Sequence, residues 1–372
     1  MLRNISFSLI TTACSFSGWS QTATQTPVHT ATDTTAPPVT TTPTPAPVVS
    51  ITGSADMYYR YDFNKTASSL TSFTNSQDQF KLGMATVKLE HKTAKMDMVA
   101  DLGFGPRAQE FAYNDAGIVQ AIKQLYISYS PTNWVKFTGG TWATHIGYEV
   151  VDAYANRNYS MSYMFTNGPF SHTGVRADFT SGKNGFMIGL SNPTDWRSVP
   201  AYYQNNKNVI AQYSYAPSDN FKLYLNYVGG RDTGDNKVHQ YDLVINAKVN
   251  SLFSLGLNST VNKSSTASVK YDSSRTWWGT AVYLNLDPKP WFGLTLRGEY
   301  FSDKDGVKLQ PLDGTVGANV FATTLSANFK VDGFIFIPEF RVDNGSQNLF
   351  LKNDGTYTKS SVSILFAAIY SF

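Results

Sequence analysis

Past residue 14 the sequence contains no cysteine, and Cys14 itself sits in a short N-terminal stretch. Disulfide scaffolds, thiol chemistry and cysteine-ligated metals are therefore excluded for the bulk of the chain. Charge is also scarce: Asp, Glu, Lys and Arg make up 15% of the 372 residues, against roughly a quarter in ordinary soluble domains. The basic residues are scattered singly and the formal net charge is +3, so no nucleic-acid partner is indicated. Long apolar runs are missing as well. No stretch reaches the ~18 residues of a membrane-spanning helix, so any insertion into lipid has to use strands. The five histidines accompany no Gly-x-Ser-x-Gly elbow and no His-Glu-x-x-His spacing. An enzyme, a cofactor and a metal site are not expected.

Aromatic residues are plentiful, with 22 Tyr and 24 Phe. The opening MLRNISFSLITTACSFSGWS has an early Arg3, a short apolar middle and small residues before Gln21. This pattern predicts an export signal over residues 1–20, cut after Ser20. Thr11, Thr12 and Ala13 lack the leucine usual before a lipid-modified cysteine, which disfavours that fate for Cys14. Residues 21–49 are almost entirely Thr, Pro, Ala and Val, too poor in packing groups for a core, and read as an extended, disordered linker.

From residue 50 the period changes. In 51-ITGSADMYYRYDFN-64, Ile51, Gly53, Ala55, Met57, Tyr59, Tyr61 and Phe63 alternate with residues that include Asp56, Arg60 and Asp62. Period two means strand, and the apolar face is long enough to cross a bilayer, for which about 9–11 tilted residues suffice. Counting this strand, the signature occurs sixteen times up to residue 372, with seven short, turn-rich connections and eight long ones. That arrangement predicts an all-β, 16-stranded antiparallel transmembrane barrel over 50–372 with lipid outside and water inside. Aromatics next to the short turns (Trp134, Phe221, Trp291, Phe334) and at the other ends (Tyr59, Tyr61, Phe104, Tyr227, Tyr300) form two interfacial girdles. Some strands fit less well. Leu82 and Met84 fall on the inner phase, 276–287 reads in either phase, and Pro338 calls for a bulge.

The stretches 81-KLGMATVKLEHKTAKMDMVADLGFGP-106, 142-WATHIGYEVVDAYANRNYSMSYMFTNGPFSHTGVRADF-179 and 293-GLTLRGEYFSDKDG-306 resemble bacterial outer-membrane β-barrel porins of the OmpL-like family, over nearly all of 51–372. The resemblance implies a water-filled channel in the cell outer membrane for passive diffusion of small hydrophilic solutes and ions. It also implies a C-terminal strand read by the barrel-assembly machinery, carried here by Phe366, Tyr370 and Phe372, and commonly a homotrimer. In sixteen-stranded porins the third outer loop folds inward. Here Ala143–Pro169 is the longest connection, so Glu149, Asp152 and Arg157 are candidates for a constriction, by position only, because the acidic-Pro-Glu-Phe signature is absent. The expected pore wall facing them is Arg60, Lys136, Arg176, Arg297 and Arg341, all on the inner phase; pinning of the loop is the competing role. A sugar- or anion-selective channel and a plugged structural or adhesive barrel remain as alternatives. A barrel hydrolase would need His145 or His172 beside Ser160 or Ser171.

Overall fold

The computed structural model describes residues 48–265 and 274–372. The expected signal (1–20) and nearly all of the expected linker (21–49) lie outside the described residues, as do Cys14 and His29. Sixteen strands close into one antiparallel barrel. They are β1 (Val48–Asp62), β2 (Gln79–Lys92), β3 (Met96–Phe104), β4 (Ile122–Thr132), β5 (Val135–Ala143), β6 (Ser171–Ser181), β7 (Asn184–Ser191), β8 (Asn208–Ser218), β9 (Phe221–Arg231), β10 (Lys237–Lys248), β11 (Phe253–Ser265), β12 (Ser274–Lys289), β13 (Phe292–Asp303), β14 (Ala318–Val331), β15 (Phe334–Gly345) and β18 (Ser360–Ser371). A small ribbon of β16 (Phe350–Leu351) and β17 (Tyr357–Thr358) decorates the last long connection, and two short helices, α1 (Pro106–Phe111) and α2 (Tyr163–Asn167), lie in earlier ones. β1 begins at Val48, two residues before the expected start of the barrel.

Each barrel strand pairs with its neighbours along the chain, and β1 pairs with β18 to shut the cylinder. Gly53 and Phe372 complete the seam by exchanging backbone hydrogen bonds of 3.1 and 3.0 Å. Short turns gather at one end and long connections at the other, with the longest joining β5 to β6. The turn between β14 and β15 shows why such turns are tight: Asp332 and Gly333 both have positive φ, 45° and 80°, as the favoured two-residue hairpin requires.

Alternation holds along the strands because the two faces meet different surroundings. In β18, Ser361, Ser363, Leu365, Ala367 and Ile369 are buried inward, while Phe366 and Tyr370 are exposed on the outside. The outer faces of β15 and β14 continue this band with Phe334, Phe336, Phe340, Phe321, Leu325 and Phe329. A charge there would cost about 2–4 kcal/mol at the bilayer midplane, and none of these outward positions carries one. Trp134, Trp291, Tyr129, Tyr370 and Phe372 are exposed at the short-turn end, and Phe104 and Tyr300 at the other.

Two of the awkward strands depart from expectation. Ala55 pairs with Ala85 but Met57 pairs with Leu82, so β2 holds one extra residue opposite Asp56. This bulge reverses the phase: Leu82, expected inward, is exposed outside, whereas Met84 is buried inside. Gly83 makes room for it, since Asp56 Oδ2 lies 1.7 Å from where a Cβ would stand, and Met84 N donates to Asp56 Oδ1 at 3.1 Å. No bulge forms at Pro338. The β14–β15 ladder skips two pairs there and resumes in the same register, from Ser326↔Glu339 to Phe329↔Phe336, while the β18 side runs through Pro338↔Phe366. In β12 the phase is settled, with Trp277, Ala281 and Tyr283 inward and Trp278, Val282 and Leu284 outward.

The inner face is less uniformly polar than alternation suggests. Trp277, Phe301 and Val320 pack with Tyr163 and Met164 of the β5–β6 connection and with Leu309 and Phe350 of later connections. Phe73, Phe111, Phe165 and Phe170 form a second cluster drawn from the first three long connections. Long connections thus bury one another and part of the wall, which satisfies apolar side chains on a face that sequence period alone assigns to water.

Candidate functional site

Residues 144–170, between β5 and β6, hydrogen-bond to inward-facing side chains most of the way around the barrel. Gly147 N donates to Asp242 of β10 (3.0 Å) and Tyr148 N to Asn258 of β11 (3.3 Å), while the Tyr148 ring stacks on Tyr283 of β12 at 4.0 Å. Asn158 Nδ2 donates to Ser326 of β14 at 2.6 Å. Tyr159 N and Ser160 N donate to Glu339 of β15 (2.8 and 3.2 Å), and Tyr159 OH donates to Asp56 of β1 (2.5 Å). Ser162 caps α2 by accepting from Phe165 N (3.0 Å). The next two free amides, Tyr163 N and Met164 N, donate to Glu299 of β13 at 2.9 Å each. Most of these bonds run from backbone amides of the loop to polar side chains of the wall, each worth about 1.5–3 kcal/mol where the acceptor is charged.

The three loop residues singled out from the sequence all end on wall partners. Glu149, buried, accepts from Arg297 Nη1 (2.5 Å), Tyr283 OH (3.2 Å) and Ser162 N (2.8 Å). Asp152 accepts from Lys123 of β4 at 2.5 Å, and Arg157 grips Asp287 of β12 with two nitrogens (2.6 and 3.0 Å) and Thr295 with a third (2.8 Å). The five wall cations divide. Arg297 and Arg341 are buried under the loop, donating to the Ser160 and Met161 carbonyls at 2.7 Å each, with Arg341 also paired to Asp343 (3.0 Å). Arg60 is buried against Asp62 (2.7 Å). Arg176 and Lys136 stay partly exposed, Arg176 beside Asp178 (3.3 Å) and over the Trp142 ring (5.0 Å).

Several residues central to this arrangement escape a reading of the sequence. Lys123 enters because the β3–β4 ladder slips between Asp101 and Leu102, which brings its Nζ to 3.1 Å from Asp101 as well as to Asp152. Glu299 and Glu339 are recognisable as inward carboxylates, but their use as acceptors for loop amides has no local signal. Arg107 of α1 is buried among aromatic rings with no sequence motif to mark it.

At the roots of the loop, His145 Nε2 lies 3.0 Å from the Tyr227 carbonyl, His172 Nε2 lies 3.0 Å from Thr144 Oγ1, and the two rings are 5.1 Å apart. Burial pushes His145 down to about 4. Ser160 Oγ has Arg297 and Arg341 as neighbours, and Ser171 precedes His172 in β6, so alternation turns the two side chains to opposite faces. Neither serine is placed against an imidazole as a hydrolase nucleophile. Among the described residues no three His, Cys, Asp or Glu side chains gather to hold a metal.

A closed sixteen-stranded cylinder with an apolar outer band and a charged loop bonded to its inner wall belongs to the class of transmembrane β-barrels that cross the outer membrane. The chain is a member of the family described as "Putative beta-barrel porin-2, OmpL-like", which matches residues 48–372. No curated protein sequence matches it. Similar solved structures include the trimer form of OmpT from Vibrio cholerae (TM-score 0.60, 11% identity, 88% of this chain and 100% of that one). The anion-selective porin of Comamonas acidovorans (0.58, 10%, 88% and 100%) and the outer-membrane channel DcaP of Acinetobacter baumannii (0.57, 12%, 88% and 97%) share the fold as well.

Proposed function

We propose that the protein is an outer-membrane channel for passive diffusion of small hydrophilic solutes, narrowed by residues 144–170, with a preference for anions. The observation that carries the preference is how the lumen's charges are spent. Glu149, Glu299, Glu339, Asp56 and Asp242 are buried and occupied by hydrogen bonds. Lys136, Lys222 and Lys330 are inward and partly exposed, and among the described residues no carboxylate lies within 4.0 Å of them. Opposing them, Asp97 is a partly exposed inward carboxylate outside any such pair. Fixed charges lining a pore set which ions enter. The name of the Comamonas acidovorans neighbour, an anion-selective porin, agrees with this reading.

The same reading takes the N-terminal segment as the export signal and the Phe366, Tyr370 and Phe372 strand as the feature seen by the assembly machinery. Outer-membrane lipid covers the outer face, and a homotrimer is the assembly, as in the trimer form of Vibrio cholerae OmpT. The test is reversal potential across a planar bilayer in a salt gradient. Wild type should conduct and favour anions, and Lys136→Gln with Lys222→Gln and Lys330→Gln should move the potential toward that of the cation. Absence of conductance would leave a plugged barrel; an unmoved potential in the triple variant would remove the anion preference.

A further inference from the structure

Arg107 lies in α1, on the second long connection, and is buried. Its guanidinium sits between two rings from different connections, 4.9 Å from Phe73 and 4.7 Å from Tyr159. Nη1 donates to the Val151 carbonyl at 3.2 Å, and Nε lies 3.8 Å from Asp56 Oδ2 on β1. Nε and Nη2 make no hydrogen bond among the described residues. Burying a cation with so few bonds is costly, and a flat guanidinium between two aromatic faces is a geometry lysine cannot reproduce.

We propose that Arg107 is the positioning residue that holds the 144–170 segment in its narrowing conformation, an inference that rests on reading that segment as the constriction. One side chain joins the first connection (Phe73), the third (Val151 and Tyr159) and the wall (Asp56). Its neighbours Ala108 and Phe111 pack in the same cluster as Val151, Met161, Phe165 and Phe170. The barrel's backbone ladder runs without it. Asp56 keeps two other donors, Tyr159 OH and Met84 N, so loss of Arg107 does not strand a bare carboxylate. What loosens is the segment's hold on the first two long connections, because Tyr159 keeps Asp56 and packs, with Ala153, on Tyr58 of β1 and on Leu365, Ala367 and Ile369 of β18.

The test compares wild type, Arg107→Met and Arg107→Lys in the full chain. Folding is checked by heat-modifiable electrophoretic mobility, gating by single-channel recording and loop freedom by trypsin cleavage after Arg157. Arg107→Met is expected to fold, to conduct roughly twofold more with frequent stepwise fluctuations, and to be cut faster after Arg157; Arg107→Lys should fall between. A folded Arg107→Met with wild-type conductance, noise and cleavage overturns the proposal. If that variant does not fold, Phe73→Leu, which removes one ring and leaves the charge pair, must show the same loosening, and wild-type behaviour there overturns it. Should wild type itself not conduct, the channel reading fails, while the cleavage rates still decide the role of Arg107.

Discussion

Asp195, in the connection between β7 and β8, holds a positive φ of 64° and is buried. Its Oδ1 accepts from Phe170 N and Ser171 N at 2.7 Å each, and Oδ2 accepts from Tyr113 OH at 3.0 Å. The group therefore fastens the C-terminal root of the 144–170 segment to two other connections. Burial outweighs these bonds and pushes its carboxyl up to about 6. With a raised folded value, the stability it contributes is fully present below the ordinary value near 3.8 and is lost as pH climbs through 6. Asp195→Asn keeps an acceptor without the charge. Relative to wild type it should be neutral at pH 4 and more stable by about 3 kcal/mol at pH 7, read from denaturant unfolding in micelles; parallel pH curves would contradict this. His145 acts in the opposite sense, losing stability as pH falls from 6.5 toward 4. A second residue-scale expectation concerns Glu149→Gln, which leaves Arg297 buried without its carboxylate. That change should cost about 3–5 kcal/mol, visible as a lower unfolding midpoint.

At the scale of elements, the extra residue of β2 is a built feature. Deleting Gly83 would remove the bulge and force either Phe80 and Leu82 inward or the rest of β2 out of phase. The heat-resistant folded band should be lost or strongly reduced on deletion, whereas a folded deletion variant with wild-type mobility would show that the ladder can absorb the slip. This strand also shows where sequence stops being a guide. The period of two is legible in 51–64 because lipid and lumen impose it on every pair of neighbours, and the same physics makes β18 and β14 readable. A bulge answers instead to one side chain across the ladder, Asp56, and nothing within 79–90 announces that partner. The constriction candidate divides the same way. The length of the β5–β6 connection and its charges are visible in order along the chain. That Glu149 would meet Arg297, 148 positions away, or Asp152 the unremarked Lys123, depends on closure of the whole cylinder.

For the molecule as a whole, the seam between β1 and β18 is what closes the cylinder. Gly53 lies against the Phe372 ring, which stands 2.8 Å from where a Cβ would be, with the Thr86 carbonyl at 2.7 Å. Phe372→Ser keeps the backbone seam and removes the exposed ring. The variant should refold in detergent with near wild-type stability yet reach the outer membrane of cells at a several-fold lower level; equal cellular levels would remove the assembly role. The seam has one more consequence. Since the first and last strands are bonded neighbours, and Val48–Thr52 overhangs by about 17 Å while pairing only with β2, a brief peptide bridge from Phe372 to Val48 is enough to join the two barrel strands. A gene for residues 48–372 could then be reopened at a long connection, giving a circular permutant with an unchanged cylinder and the β18-to-β1 junction in mid-chain.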